Sequence, residues 1–326
     1  MRTMTAALLA ILLQAIPAKA ESPAPPVLDE IKRIARQAEP RCKTPWVKDF
    51  IKAAQQLPPV GNRRFFHTAD KSAYFTEEEA AKLPKVERAA LTAREVDEEI
   101  YYARITDPLG YLRPMEVLAA AGFQPAGKRL VDFGYGNIGQ LKMLASIGAD
   151  ALGIEVDPLL PKLYARDVGP LGSGRVRVLH GYFPTDPKLV EAIGRGYDLF
   201  LSKNTLKRGY VRPAVPVEPK KRIDLGSDQA FLAAVRDTLK PGGLFLVYNF
   251  GPAPAAPGKP YVQMGDIRCP FEKATLERAG FEVLAYDVDD NREGRAVAKL
   301  LEWDKGPDAM ELEHGLFAMY TLARRK

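Results

Sequence analysis

Cysteine is scarce in this chain, which has only two, Cys42 and Cys269, among its 326 residues. Their spacing matches no metal-binding pattern, so we predict no metal site. One disulfide in an oxidising compartment and two free thiols are both compatible with the sequence.

Long apolar runs are also absent. The longest extends from Ala6 to Pro17 and is interrupted by Gln14. It falls short of the roughly 20 apolar residues that cross a bilayer. We therefore expect no transmembrane helix.

Neither charge sign dominates, because 47 Lys and Arg against 41 Asp and Glu give a formal charge of +6. Arg2 and Lys19 lie in a segment that we expect to be removed, which leaves +4 (6 − 2) on the mature chain. Such a mild charge gives no reason to expect a nucleic-acid partner. The composition, 46% hydrophobic and 27% charged, is typical of a globular chain with a sizeable core.

The first 20 residues have the pattern of a signal peptide. Arg2 supplies the positive start, Ala6 to Ile16 the apolar centre and Ala18-Lys19-Ala20 the small-x-small cleavage site. We expect an exported protein, periplasmic or secreted, that begins near Glu21. A buried amphipathic helix or a misassigned start codon would also explain the segment, and the protein would be cytoplasmic if the leader does not function.

Residues 21–85 combine scattered prolines with short helical patterns, so we predict a linker and a helical extension. Thr76 and Glu79 have the spacing of a capping box. Apolar residues recur at helical spacing from Val86 to Ala103, which predicts one longer helix that ends near Asp107.

After Gly127, apolar runs of strand length alternate with helical patterns, which predicts an α/β fold with a seven-stranded, doubly wound, mostly parallel sheet in a domain spanning 86–326. The predicted strands are Arg129 to Phe133, Ala151 to Val156, Val176 to Leu179, Asp198 to Ser202, Leu244 to Phe250, Glu282 to Val288 and Leu316 to Ala323. The predicted helices are Gln140 to Ile147, Leu159 to Asp167, Pro187 to Ile193, Asp228 to Leu239 and Phe271 to Ala279.

A glycine-rich turn separates the first of these strands from the helix that follows. Gly134, Gly136 and Gly139 form the pattern G-x-G-x-x-G, in which the backbone approaches a ligand at the start of a helix. Glu155 ends the second strand 21 positions after Gly134 (155 − 134), where a carboxylate can accept hydrogen bonds from a ribose diol. The sequence therefore predicts a cofactor that carries a ribose.

The residues leave two classes of cofactor open. The same glycines and acid would suit NAD(P) in an oxidoreductase. Asp132, two positions before the first glycine, favours a sulfonium cofactor with an ammonium group, because a carboxylate attracts cations and repels a pyrophosphate.

Further segments resemble class I, Rossmann-like S-adenosylmethionine-dependent methyltransferases. Residues 239–243 read Leu-Lys-Pro-Gly-Gly before a buried strand, and residues 131–136 resemble the first motif of that family. The resemblance covers Tyr111 to Arg325. It implies methyltransferase activity with S-adenosyl-L-methionine as cofactor. The implied binding residues are Asp132, Gly134, Tyr135, Gly136, Gly139, Glu155 and Tyr182.

This chain departs from the family pattern at two positions that bear on cofactor binding. The third glycine is Gly139, one position later than usual, and Tyr182 follows the third strand where many members have an acid that contacts adenine. An NAD(P)-binding oxidoreductase and a non-catalytic protein with the methyltransferase fold therefore remain as alternatives.

Three residues are candidates for catalysis. Lys203 and Asn204 follow the fourth strand, where Lys203 could hold an anion or lower the pKa of an acceptor and Asn204 could orient it. His180 ends the third strand and could act as a base. For all three, a purely structural role at a strand end is the alternative.

The segment after the fourth strand is strongly basic. From Lys203 to Arg222 it has seven basic residues and one acid, Glu218. We expect it to meet a small polar or anionic acceptor, either a small molecule or a peptide. An ordinary solvated loop is the alternative, and the sequence does not indicate an oligomeric state.

Overall fold

The computed structural model describes residues 26–103, 107–306 and 309–326. The predicted signal peptide, residues 1–20, lies outside these ranges. Within them, no helix has both the length and the apolar character that crossing a membrane requires.

Most of the described chain is organised around one eight-stranded sheet of order β10-β11-β9-β8-β4-β5-β7-β6. All seven predicted strands are present, with ends that differ by a few residues. The eighth, β6, was not predicted, because it is a three-residue edge strand folded back on β7 through a tight turn at Gly172. The strands of the sheet are β4 Arg129–Phe133, β5 Asp150–Glu155, β6 Gly169–Leu171, β7 Gly174–His180, β8 Tyr197–Lys203, β9 Leu239–Gly251, β10 Phe281–Asp289 and β11 Phe317–Arg325.

The five central strands, β7, β5, β4, β8 and β9, run parallel, whereas β11 runs antiparallel to both β9 and β10. The chain reverses its direction of travel across the sheet between β4 and β8. In open α/β sheets, ligands bind outside the carboxyl ends of the strands at this reversal. The glycine turn after β4 lies there.

Helices cover both faces of the sheet, and further helices lie in the N-terminal part of the chain. Those that follow β4, β5, β7, β8 and β9 occur where helices were predicted. The α-helices are α1 Val27–Ala38, α2 Pro45–Ala53, α3 Glu77–Ala81, α4 Lys85–Ala89, α5 Glu98–Ala103, α6 Leu112–Ala120, α7 Gly139–Ser146, α8 Leu159–Tyr164, α9 Pro187–Ile193, α10 Arg208–Val211, α11 Asp228–Thr238, α12 Lys273–Arg278 and α13 Asn291–Leu300.

The N-terminal extension is only partly helical. The capping box of Thr76 and Glu79 is present at the start of α3. The single helix predicted from Val86 to Ala103 is wrong, because strand β3 (Thr92–Val96) separates α4 from α5. β3 pairs antiparallel with β1 (Arg63–His67), which also pairs with β2 (Tyr74–Thr76). These non-local hydrogen bonds override the helical spacing.

The extension and the large sheet share one hydrophobic core. Val47 and Phe50 of α2 belong to the same buried cluster as Leu141 of α7 and Tyr164 of α8, and α2 packs directly on α7. The hydroxyl of Tyr164 donates to the carbonyl of Tyr101 at 2.9 Å. The extension is therefore part of the packing that supports the glycine turn.

The two cysteines are free thiols in this structure. Burial raises the pKa of Cys42 to about 11 and that of Cys269 to about 12. Neither thiol is therefore suited to act as a thiolate near neutral pH.

Candidate cofactor and acceptor site

The glycine turn connects β4 to α7 at the carboxyl edge of the sheet. Gly134 and Gly136 have φ angles of +75° and +64°, which glycine adopts without strain. A Cβ atom built on Gly134 would lie 1.9 Å from the Oγ1 atom of Thr205. Thr205 follows β8, so the side of the turn that faces β8 is already filled by the chain itself.

Neighbouring side chains hold the rest of the turn. The amide of Gly139 donates to Asn137 Oδ1 at 3.0 Å, and Pro108 lies so close that a Cβ on Gly139 would meet it at 2.9 Å. The ring of Tyr135 is buried against Gly153. Tyr135, implied by the resemblance to contact the cofactor, is therefore a packing residue in this structure.

Asp132 is fully buried beside the turn. Its Oδ2 atom accepts a hydrogen bond from Gln140 Nε2 at 3.1 Å. Burial raises the pKa of Asp132 to about 6, and the hydrogen bond from Gln140, the nearby Tyr111 hydroxyl and the charge of Lys203 oppose this increase. Within the described residues, Asp132 Oδ1 and Gln140 Oε1 are buried acceptors with no hydrogen-bond partner.

The edge beyond β5 and β7 is open by comparison. The half-buried carboxylate of Glu155 accepts from the backbone amide of Val156 at 2.8 Å. His180 is exposed, with Nε2 3.1 Å from the carbonyl oxygen of Val156. The Tyr182 side chain is 62% exposed. A ribose and a base could therefore reach this edge without displacing core side chains.

Lys203 lies on the opposite side of the turn and is only 4% exposed. Its Nζ atom is 5.1 Å from the ring centroid of Tyr111 and 5.7 Å from that of Phe250. Burial lowers the pKa of Lys203 to about 8, and the charges of Asp107 and Asp132 oppose this decrease. Burial likewise raises the pKa of Asp107 to about 6. We call Asp107, Asp132 and Lys203 the buried ionic cluster.

No protein-family model and no curated protein matches the chain, but solved structures are similar to it over about two thirds of its length. Geranyl diphosphate methyltransferase in complex with S-adenosylmethionine is 15% identical over 66% of this chain and 84% of that chain, with a TM-score of 0.42. An S-adenosylmethionine-dependent methyltransferase from Mesorhizobium loti is 19% identical over 66% and 98%, with a TM-score of 0.37. The cyclase SpnF is 18% identical over 65% and 80%, with a TM-score of 0.41.

The chain has a doubly wound, Rossmann-like α/β fold with a mostly parallel sheet. The mostly parallel sheet and the glycine turn after β4 agree with the resemblance seen in its sequence. Because folds of this kind host many unrelated reactions, the activity has to be inferred from the side chains of the site.

The three predicted catalytic residues do not form one site in this fold. Asn204 has φ +64° and bridges two strands: its amide donates to the carbonyl of Tyr248 at 3.0 Å, and its Oδ1 atom accepts from the amide of Phe250 at 2.7 Å. His180 lies on β7, three strands from β8, which is about 14 Å at roughly 4.8 Å per strand. Lys203 and Asn204 are adjacent, whereas His180 belongs to the open edge.

The sequence did not indicate a functional role for two residues of the site, Gln140 and Thr205. Gln140 stands in the first turn of α7 and Thr205 in a loop, so neither belongs to a pattern that marks function. Lys207 was noted only as one of several basic residues, yet it is 4% exposed. Its Nζ atom lies 5.4 Å from the ring centroid of Tyr210.

Proposed function

We propose that this protein is an S-adenosylmethionine-dependent methyltransferase. The observation that carries the proposal is the pair of buried acceptors, Asp132 Oδ1 and Gln140 Oε1, which have no partner among the described residues and lie beside the glycine turn. Buried acceptors call for a donor. An ammonium group provides one, whereas the pyrophosphate of NAD(P) would be repelled by Asp132.

The residues at the two ends of the turn fit such a cofactor. Glu155 would accept hydrogen bonds from the ribose hydroxyls, and Asp132 with Gln140 would hold the ammonium group. When bound, the cofactor supplies an electrophilic methyl group. The chain contributes mainly by positioning the acceptor and, where the acceptor is protonated, by removing its proton.

One contact opposes free entry of the cofactor. Thr205 lies against Gly134, and its Oγ1 atom is 3.4 Å from the Gly134 carbonyl oxygen. Binding through the whole length of the turn therefore needs the loop after β8 to shift. The same contact favours a second candidate function, a protein that keeps the methyltransferase fold without binding the cofactor.

One buried lysine, Lys207, supports an acceptor with an anionic group. Burial, followed by the charge of Lys203, lowers the pKa of Lys207 to about 7. Within the described part of the chain, no carboxylate oxygen lies within 4.0 Å of its Nζ atom. A buried cation without a counter-charge is costly, and an anionic acceptor would supply that charge.

Calorimetry with S-adenosylhomocysteine tests the proposal, and NAD serves as the competing ligand. We expect binding in the wild-type chain and an affinity about 30-fold lower in Glu155→Ala, which corresponds to about 2 kcal/mol for lost charged hydrogen bonds. Glu191→Ala, an exposed glutamate on α9, is the matched control and should bind normally. Binding of NAD with no response to S-adenosylhomocysteine would contradict the proposal.

We also propose export through the N-terminal segment, a prediction from the sequence alone. The proposed cofactor is cytosolic, whereas an exported protein works outside the cytosol. The two proposals therefore need separate tests. Cell fractionation followed by N-terminal sequencing of the native protein should give a first residue near Glu21. An intact Met1 in the cytosolic fraction would rule out export.

A further inference from the structure

A cavity of about 330 Å³ lies at the carboxyl edge of the sheet, beyond the end of β9 and the start of β11. Phe317 pairs with Gly251, and Met319 pairs with Asn249, so both cavity residues lie two strands from β8, at the same edge as the glycine turn. The segment that follows β9 forms the other wall through Val262 and Ile267. The cavity size lies at the lower end of the range for small-molecule sites.

The polar groups that line the cavity already have partners. The carboxylate of Asp266 accepts from Arg268 at 2.7 and 2.9 Å and from the Tyr261 hydroxyl at 3.3 Å. The side-chain amide of Asn291 donates to Asp289 at 3.0 Å, and its Oδ1 atom accepts from the amide of Ala318 at 2.7 Å. These groups gain little from a ligand, so what the cavity offers is apolar contact.

Apolar side chains supply that contact. Phe317, Met319 and Ile267 line the cavity, and Val262 is 39% exposed at its wall. Burying such surface favours binding by roughly 25 cal/mol per Å². An occupant with an apolar body would therefore gain affinity without breaking a hydrogen bond.

The cavity wall is attached to the basic loop that follows β8. The amide of Arg208 donates to the carbonyl of Arg268 at 2.8 Å, and the amide of Gly209 donates to that of Asp266 at 3.0 Å. The buried side-chain amide of Asn249 donates to the carbonyls of Leu206 and Ile267, both at 2.9 Å. A ligand in the cavity therefore lies next to the segment that carries Lys207.

We infer that this cavity binds the apolar body of the methyl acceptor, and that the acceptor is a small molecule with an aromatic ring or short acyl chain. The identification of the ligand as the methyl acceptor rests on the proposed function, whereas the binding site itself does not depend on it. The basic loop alongside would then meet a polar or anionic group of the same molecule.

Binding of N-phenyl-1-naphthylamine, an uncharged dye that fluoresces in apolar sites, tests the inference. Ala255 lines the cavity from a loop, so Ala255→Trp would fill the space without touching the buried core. Ala256 is exposed and does not line the cavity, so Ala256→Trp is the matched control. We expect saturable binding to the wild type and to the control, and at least tenfold weaker binding to Ala255→Trp.

Equal dye affinity in the wild type and Ala255→Trp, or no saturable binding to the wild type, would overturn the inference. Val262→Trp provides a second variant that fills the cavity. Thermal unfolding shows whether the three tryptophan variants are folded. Calorimetry with S-adenosylhomocysteine should give the same affinity in all four chains. If none of the four chains binds S-adenosylhomocysteine but the dye affinities differ as expected, the proposed function is contradicted and the cavity remains a binding site.

Discussion

The two sides of the glycine turn differ sharply in exposure. On the side of β5 and β7, Glu155 is half-buried, and His180 and Tyr182 are exposed. On the side of β8, Lys203 is 4% exposed and Thr205 lies on Gly134. The site therefore has an open half, beside β5 and β7, and a closed half, beside β8.

The segment just before α6, residues 107–111, contributes to the closed half. Pro108 packs on Gly139, the ring of Tyr111 lies near Lys203 Nζ, and Asp107 adds a buried carboxylate. None of these residues is part of the sheet. The sheet therefore positions the binding groups, while residues 107–111 and the loop after β8 limit which of them a ligand can reach.

The largest effect is expected from Lys203→Met in the closed half. The change removes the positive charge that faces Asp107 and Asp132, and breaking such a buried arrangement costs about 3 kcal/mol of unfolding free energy at pH 7. Urea denaturation measures it, with Lys188→Met, an exposed lysine, as the control.

The cost of Lys203→Met should decrease at pH 5. The folded pKa of Asp107 and Asp132, about 6, lies above the ordinary 3.8, so both are mostly protonated in the folded chain at pH 5 and no longer need a counter-charge. An equal cost at both pH values would contradict an ionic role for the cluster.

Lys207→Met should stabilise the protein. The folded pKa of Lys207, about 7, lies below the ordinary 10.5. Between these values the unfolded chain binds more protons, so Lys207 lowers stability at pH 7 and the penalty disappears as pH rises towards 10.5. We expect a gain of about 2 kcal/mol at pH 7 that shrinks at pH 10. A loss of stability at pH 7 would show that Lys207 has a counter-charge after all.

Thr205→Gly should open the closed half. It removes every side-chain atom that contacts Gly134, so we expect about tenfold tighter binding of S-adenosylhomocysteine, or about 1.4 kcal/mol. Thr205→Ser retains the Oγ1 atom and is the matched control. Unchanged affinity in Thr205→Gly would mean that the loop does not restrict entry.

The smallest effect is expected from His180→Ala in the open half. His180 is exposed and makes one contact with the Val156 carbonyl, so both cofactor affinity and methyl transfer should change by less than about twofold. A much larger fall in transfer, with affinity retained, would support the prediction that His180 is a catalytic base.

Local patterns made the sheet and the glycine turn predictable from sequence. Strand length, alternating helices and the positions of Gly134 and Glu155 are all encoded within short windows. The helix predicted from Val86 to Ala103 failed because β3 pairs with β1, about 30 residues earlier in the chain. The burial of Tyr135 and Lys203 and the contact of Thr205 with Gly134 depend on packing between segments that are distant in the sequence. A short stretch of sequence does not reveal such packing.

The shared core has a consequence for the order in which the protein can fold during synthesis. Val47 and Phe50 are buried in a cluster with Leu141 and Tyr164, which emerge from the ribosome about 100 residues later. Until then the extension lacks the helices of the large sheet on which part of its apolar face is buried. The extension is therefore made well before it acquires its full native packing, and its apolar face remains available to chaperones throughout that interval.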